Sequence, residues 1–120
     1  MRDFKRLTAW QKAHALALTM YRTTASFPRD ELYGLTSQIR RAGVSIPANI
    51  AEGCGKTGEA DFGRFLQIAL GSACELEYHI LLAHDLDFVA DADYGQLDTQ
   101  VNEVKRMLIS LLQKLKTPSP

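Results

Sequence analysis

The sequence lacks most of what marks a secreted, membrane-spanning or all-β protein. It holds only two cysteines, Cys54 and Cys74. They form neither a CxxC pair nor a zinc-site spacing, and both read as reduced thiols. No run is long and apolar enough to span a bilayer. Gln11, Lys12 and His14 interrupt the one N-terminal stretch that could imitate a signal sequence, so a cytoplasmic protein is expected. Strand alternation is nowhere sustained, and the Asn-Gly and Asp-Gly hairpin signals are absent. There is no excess of charge: 14 basic side chains face 14 acidic ones. A wholly basic nucleic-acid coat and a wholly acidic mimic are therefore excluded, though local patches are not.

What is present is helical periodicity. The 120 residues suit a single domain (1–120, ordered core about 4–115), with 46% apolar and 23% charged residues. A chain of this size buries roughly two-thirds of its unfolded surface and needs no disulfide or structural metal. A first helix is expected from an N-cap at Thr8 to about Ser26. Trp10, Ala13, Ala17, Met20 and Thr24 share a face there, flanked by Leu16 and Tyr21. A second should cover about Leu32 to Glu52 on the stripe Leu35, Ile39, Ala42, Ile46 and Ile50, kinked by Pro47. Gly53 to Gly58 is a loop. A third helix runs from about Glu59 to Leu86 on Phe62, Phe65, Leu66, Ala69, Ala73, Leu76, Ile80 and Ala83. After an acidic turn, Asp93-Tyr94-Gly95-Gln96 reads as a capping box opening a fourth helix. Its seam is Leu97, Val101, Val104, Leu108, Leu111 and Leu115, and Thr117 to Pro120 reads as a tail. Short connections give an all-α, antiparallel, up-down-up-down four-helix bundle.

The second helix has more apolar surface than one stripe. Beyond it lie Ser37, Val44, Ala48 and Ala51 in one sector, and Gln38, Arg41, Ser45, Asn49 and Glu52 in another. Between Leu32 and Glu52 only Arg40, Arg41 and Glu52 are charged. The third helix adds Ile68, Ser72, Leu82 and Leu86 outside its main stripe. Helices covered on several sides point to a homo-oligomer. The polar sector, with Ser72 and Glu75 of the third helix, could then be a hydrogen-bonded network between helices or subunits, or a solvated face. Glu75 shares a sector with Ile68 and Leu82 and is read as a structural partner of a neighbouring helix.

Charge is segregated along the chain. Residues 1–30 carry net +4, 31–58 net +1, 59–103 net −9 and 104–120 net +4. Bundle topology gathers Arg2, Lys5, Arg6, Lys56, Lys114 and Lys116 at one end. That rim could contact phosphates without sequence readout, or serve solubility alone.

Familiar chemistry is missing. Gly55-Lys56-Thr57 imitates the end of a phosphate-binding loop, but Ile50 stands where the first glycine is required, and a helix precedes it. Glu75 is followed three later by Tyr78, so no Glu-x-x-His di-iron pair forms. His14, His79 and His84 make no His-x-x-x-His zinc pair. No nucleophile elbow is present. No catalytic residue, metal site or cofactor is expected.

Four stretches resemble a known family. Phe4-x-x-Leu7-x-x-Trp10-Gln11-x-Ala13 and Tyr33-Gly34-Leu35-Thr36-Ser37-Gln38-Ile39-Arg40-Arg41-Ala42 are similar to the four-helix bundle proteins encoded in 23S rRNA intervening sequences. So are Ser45-Ile46-Pro47-Ala48-Asn49-Ile50-Ala51-Glu52-Gly53 and Phe65-Leu66-x-Ile68-Ala69-x-Gly71-Ser72-x-x-Glu75-Leu76. The resemblance implies a bacterial protein, a ring-like homopentamer and no defined activity. It brings no catalytic set. A related branch, the accessory proteins of diversity-generating retroelements, binds nucleic acid through a basic surface, from which this neutral chain departs. The expectation is a non-enzymatic oligomeric scaffold or adaptor whose partner is itself. The alternatives are a nucleic-acid accessory protein contacting RNA or DNA through the basic rim, and an enzyme with a site between subunits. No membrane and no small-molecule substrate is implied.

Overall fold

The computed structural model describes residues 2–116. Four helices account for most of them: α1 (Thr8–Thr24), α2 (Leu35–Cys54), α3 (Glu59–Asp85) and α4 (Asp91–Lys116). Sequential helices pack against each other, and α1 closes on α4, giving an antiparallel bundle of 52 × 23 × 20 Å. Its core is one cluster. Leu16 and Met20 of α1 meet Ile39, Ile46 and Ile50 of α2, Phe62, Leu66, Leu76 and Ile80 of α3, and Val101, Val104 and Leu108 of α4. The stripe expected on α3 is buried residue for residue.

The helix ends differ from expectation. Thr8 is the first residue of α1 rather than its cap; extended Leu7 precedes it and makes no side-chain cap. A short 3-10 turn, Phe4–Arg6, lies before that, capped by the Asp3 carboxylate accepting from the Lys5 N–H at 3.1 Å. Phe4 packs edge-on to Trp10, which fixes the entry angle of α1. Helix α1 ends at Thr24, two residues early, and Tyr21 is exposed rather than flanking the core. Helix α2 starts at Leu35, after a second 3-10 turn (Arg29–Glu31), because Glu31 reaches forward: its Oε1 accepts from the Leu35 N–H at 3.0 Å. It then runs through buried Pro47 as one helix. Gly53 sits where its absent Cβ would lie 2.9 Å from the Phe65 Cβ, so α2 and α3 converge at this point more closely than any side chain allows.

Asp93 is not the cap of α4. The helix begins at Asp91, the Tyr94 N–H donates to the Ala90 carbonyl at 2.9 Å, and Val89 is drawn into the core. In the last turns of α4 Leu112 is buried, while Leu111 and Leu115 are half-buried. A straight helix drifts from a heptad repeat over this length, so the seam moves on by one residue. The expected tail, 117–120, lies outside the described residues.

The bundle has two distinct ends. At one, the Arg2 N–H donates to the Cys54 carbonyl at 2.8 Å and Leu115 lies beside Gly63. At the other, the Phe27 and Phe88 rings pack at a tilt with centroids 5.5 Å apart, tying the α1–α2 connection to the α3–α4 turn. That turn closes α3 with two crossed bonds, Phe88 N–H to the Ala83 carbonyl at 2.9 Å and Asp87 N–H to the His84 carbonyl at 3.0 Å. This is the Schellman arrangement, and it places Asp87 at φ 64°, where glycine is usual.

Candidate functional site

The outer face shared by α2 and α3 is the best candidate. The Ser45 and Ser72 hydroxyls bond across the two helices at 2.8 Å. Asn49 donates to the Ser45 carbonyl at 2.8 Å and to the Ser45 hydroxyl at 2.9 Å. Around this polar seam Val44 and Ile68 are each 42% exposed, and Ala48 and Gly71 are exposed beside them. Small side chains here allow another backbone to come close.

The polar sector of α2 divides into two parts. Ser45, Asn49 and Ser72 form one bonded unit inside the chain. Gln38, Arg41 and Glu52 are exposed and bond to none of the described residues. The network is therefore incomplete within one copy. Glu75 pairs along its own helix with His79 at 3.4 Å, rather than with a neighbouring helix as expected. The other nitrogen of that imidazole, Nδ1, is buried without a partner among the described residues.

The six basic residues do gather at one end, but they are not equivalent. Arg2 pairs with Glu59 and lies 4.0 Å over the Phe62 ring. Lys5 sits over Phe4 at 5.9 Å and Lys56 over Phe65 at 5.3 Å. Arg6, Lys114 and Lys116 have no side-chain partner among the described residues. Lys114 borders a groove with Leu7 and Thr8, and Lys116 one with Glu59 and Gly63.

Periodicity did not reveal a groove of about 530 Å³ on the α1–α2 side, near the Phe27–Phe88 end. Tyr21, Leu32, Tyr33, Arg40, Arg41 and Val44 line much of it, and no carboxylate does. Tyr33 is 94% exposed. Arg40 is committed: its Nε donates to the buried Thr24 hydroxyl at 2.8 Å and its guanidinium lies 4.8 Å over Tyr21. A sequence signal existed in the Arg40-Arg41 pair, but the loop that carries Leu32 and Tyr33 against it is a tertiary feature.

Titratable groups elsewhere serve the frame. The Glu77 carboxylate accepts from Lys105 at 2.7 Å between α3 and α4. That bond holds the Glu77 carboxyl below its ordinary range and Lys105 above its own. His84 stacks on Tyr94 and bonds Asp91 at 2.7 Å, with Asp85 at its other nitrogen at 3.5 Å. The bond to Asp91 raises the imidazole above the usual histidine range. Cys54 is a buried free thiol, pushed up by burial, and Cys74 is an exposed one. Among the described residues no hydroxyl or thiol bonds an imidazole, and no three His, Cys, Asp or Glu side chains are grouped to hold a metal ion. No described helix is long and apolar enough to cross a membrane.

The bundle, its first turn and the Ser45–Gly53 segment can be set beside known proteins. Residues 5–110 match the model of the 23S rRNA-intervening sequence protein family. The chain belongs to that family. A crystal structure from Bacteroides thetaiotaomicron, of a protein with unknown function from the S23 ribosomal protein family, is similar to it. The two share 28% identity with a TM-score of 0.80, over 92% of this chain and 100% of the other. No curated protein matches the chain. As a 23S rRNA-intervening sequence protein the chain joins a family of unknown function, and its four-helix bundle is the architecture the resemblance implied.

Proposed function

We propose that this protein is a non-enzymatic scaffold or adaptor that works as a homo-oligomer, a ring of five copies, assembled through the α2–α3 face. The carrying observation is the exposed strip of Val44, Ala48, Ile68 and Gly71 around the Ser45–Ser72 bond. Its small and apolar side chains suit close helix packing, and Gln38, Arg41 and Glu52 beside it still need partners. Sedimentation velocity over a hundredfold dilution tests the reading. A multi-copy species that persists at low concentration supports it, and a single-copy species throughout removes it.

A second reading, a nucleic-acid accessory protein, is favoured by Arg6, Lys114 and Lys116. These are cations at one end without a side-chain partner among the described residues, which a ring would repeat around a rim. Gel shifts with single- and double-stranded RNA and DNA at rising salt distinguish the two. Affinity that falls steeply with salt, and falls further in Lys114→Ala, supports a phosphate-contacting rim. Absence of any shift at low salt leaves the scaffold alone.

A further inference from the structure

The α3–α4 turn breaks two local rules. Asp85 and Asp87 place carboxylates at the carbonyl end of α3, where the helix dipole disfavours negative charge. Asp87 also takes a left-handed conformation, φ 64°, that non-glycine residues rarely adopt. Between them Leu86 is 47% exposed. Asp87 has no side-chain partner among the described residues. The turn is thus an acidic, apolar-tipped projection in which Asp85 faces the His84 imidazole at 3.5 Å while the Asp87 carboxylate has no partner among the described residues.

The groove on α1 and α2 is its complement. It is apolar along Leu32 and Val44, aromatic at Tyr21 and Tyr33, and carries Arg41, a guanidinium with no partner among the described residues. Both features lie toward the same end of the bundle, the end fastened by Phe27 and Phe88. Copies standing side by side and pointing the same way therefore hold the turn of one at the height of the groove of the next. Within one chain the turn meets the α1–α2 connection at Phe27, and no residue of the turn lines the groove.

We infer that the groove around Arg41 receives the Asp85-Leu86-Asp87 turn of a second copy, with Leu86 against the apolar wall and a carboxylate on the guanidinium. This rests on the oligomeric reading above and adds to the α2–α3 strip a second contact, which shares Val44 with it. The contact is heterologous, groove to turn, so each copy uses one of each and the series closes as a ring or continues as a filament. A polyanion fits less well. The groove has one cation without a partner among the described residues and a largely apolar lining, which suits a single carboxylate beside an apolar side chain rather than a run of phosphates.

The test is charge reversal read by sedimentation and light scattering, with circular dichroism confirming the helical fold. Arg41→Glu and Asp87→Lys alter exposed side chains, and each alone should weaken assembly about tenfold or more. The double variant, in which the pair is reversed, should regain most of the wild-type assembly. Leu86→Ser should weaken assembly without touching charge. Single variants that assemble like wild type overturn the contact while leaving the oligomer standing, as does a double variant no better than the singles. A wild type that is single-copy at every concentration removes the oligomer itself. Oligonucleotide binding lost in Arg41→Glu, with assembly intact, would give the groove to phosphate and overturn the inference.

Discussion

Helices α2 and α4 make the same kind of contribution to the core and turn opposite faces to water. Each buries a full stripe, Leu35 to Ile50 in one and Leu97 to Leu112 in the other. Outside the stripe α4 shows Thr99, Gln100, Arg106 and Ser110, with Ile109 as its one large exposed apolar side chain among the described residues. Helix α2 shows Val44 and Ala48 midway along its length, beside the Ser45–Ser72 bond. The stripe suffices to build the bundle. What a helix carries beyond its stripe reports on what the bundle is for.

The comparison can be broken at four points. Ile46→Ala in α2 and Leu108→Ala in α4 should each cost about 2–5 kcal/mol in chemical denaturation, because both side chains are fully buried. A much smaller loss in α2 would mean its stripe is not core in the same sense. Glycines come next, with opposite signs. Gly53→Ala forces a methyl against the Phe65 Cβ, and about 1–3 kcal/mol of destabilisation is expected. Gly95→Ala in α4 meets open space and should stabilise by about 0.5–1 kcal/mol. Equal signs in thermal melts would contradict the stated geometry.

Third, Val44→Lys and Ala48→Lys together should weaken self-association about tenfold or more, while Thr99→Lys with Gln100→Lys leaves it unchanged. If the α4 pair were the disruptive one, the roles of the two faces would be exchanged. Smallest is the ion pair that α4 makes and α2 lacks. Glu77 has its carboxyl lowered in the folded state by Lys105, so the pair stabilises above the unfolded carboxylate range and loses that contribution as pH falls through the folded value. Lys105→Met should therefore remove under about 1 kcal/mol at neutral pH and little in acid, measured by urea titration at both.

Much of the fold was legible because burial imposes a period on the sequence. The α3 stripe from Phe62 to Ala83 needed only the 3.6-residue repeat. Starts and stops were less so. Thr8 and Asp93 have cap chemistry, yet Phe4 against Trp10 and Val89 in the core decide where α1 and α4 begin. Heptad counting chose Leu111 and Leu115, but an uncoiled helix buries Leu112. Of the polar sector, the sequence grouped Ser45, Asn49 and Ser72 but could not say that these three would bond as one unit and leave Gln38, Arg41 and Glu52 outside it. The groove was invisible, since Tyr33 and Arg41 come to line one groove only through the turn at Arg29–Glu31.

Pro47 carries a consequence for how the chain reaches this state. It supplies no amide to the helical ladder, and with Gly43 and Gly53 it leaves α2 a poor helix former by itself. Synthesis from the N-terminus delivers α2 before the partner that shelters it. The segment should therefore stay irregular until α3 has emerged, and a chain truncated after Gly58 should show helix for α1 only.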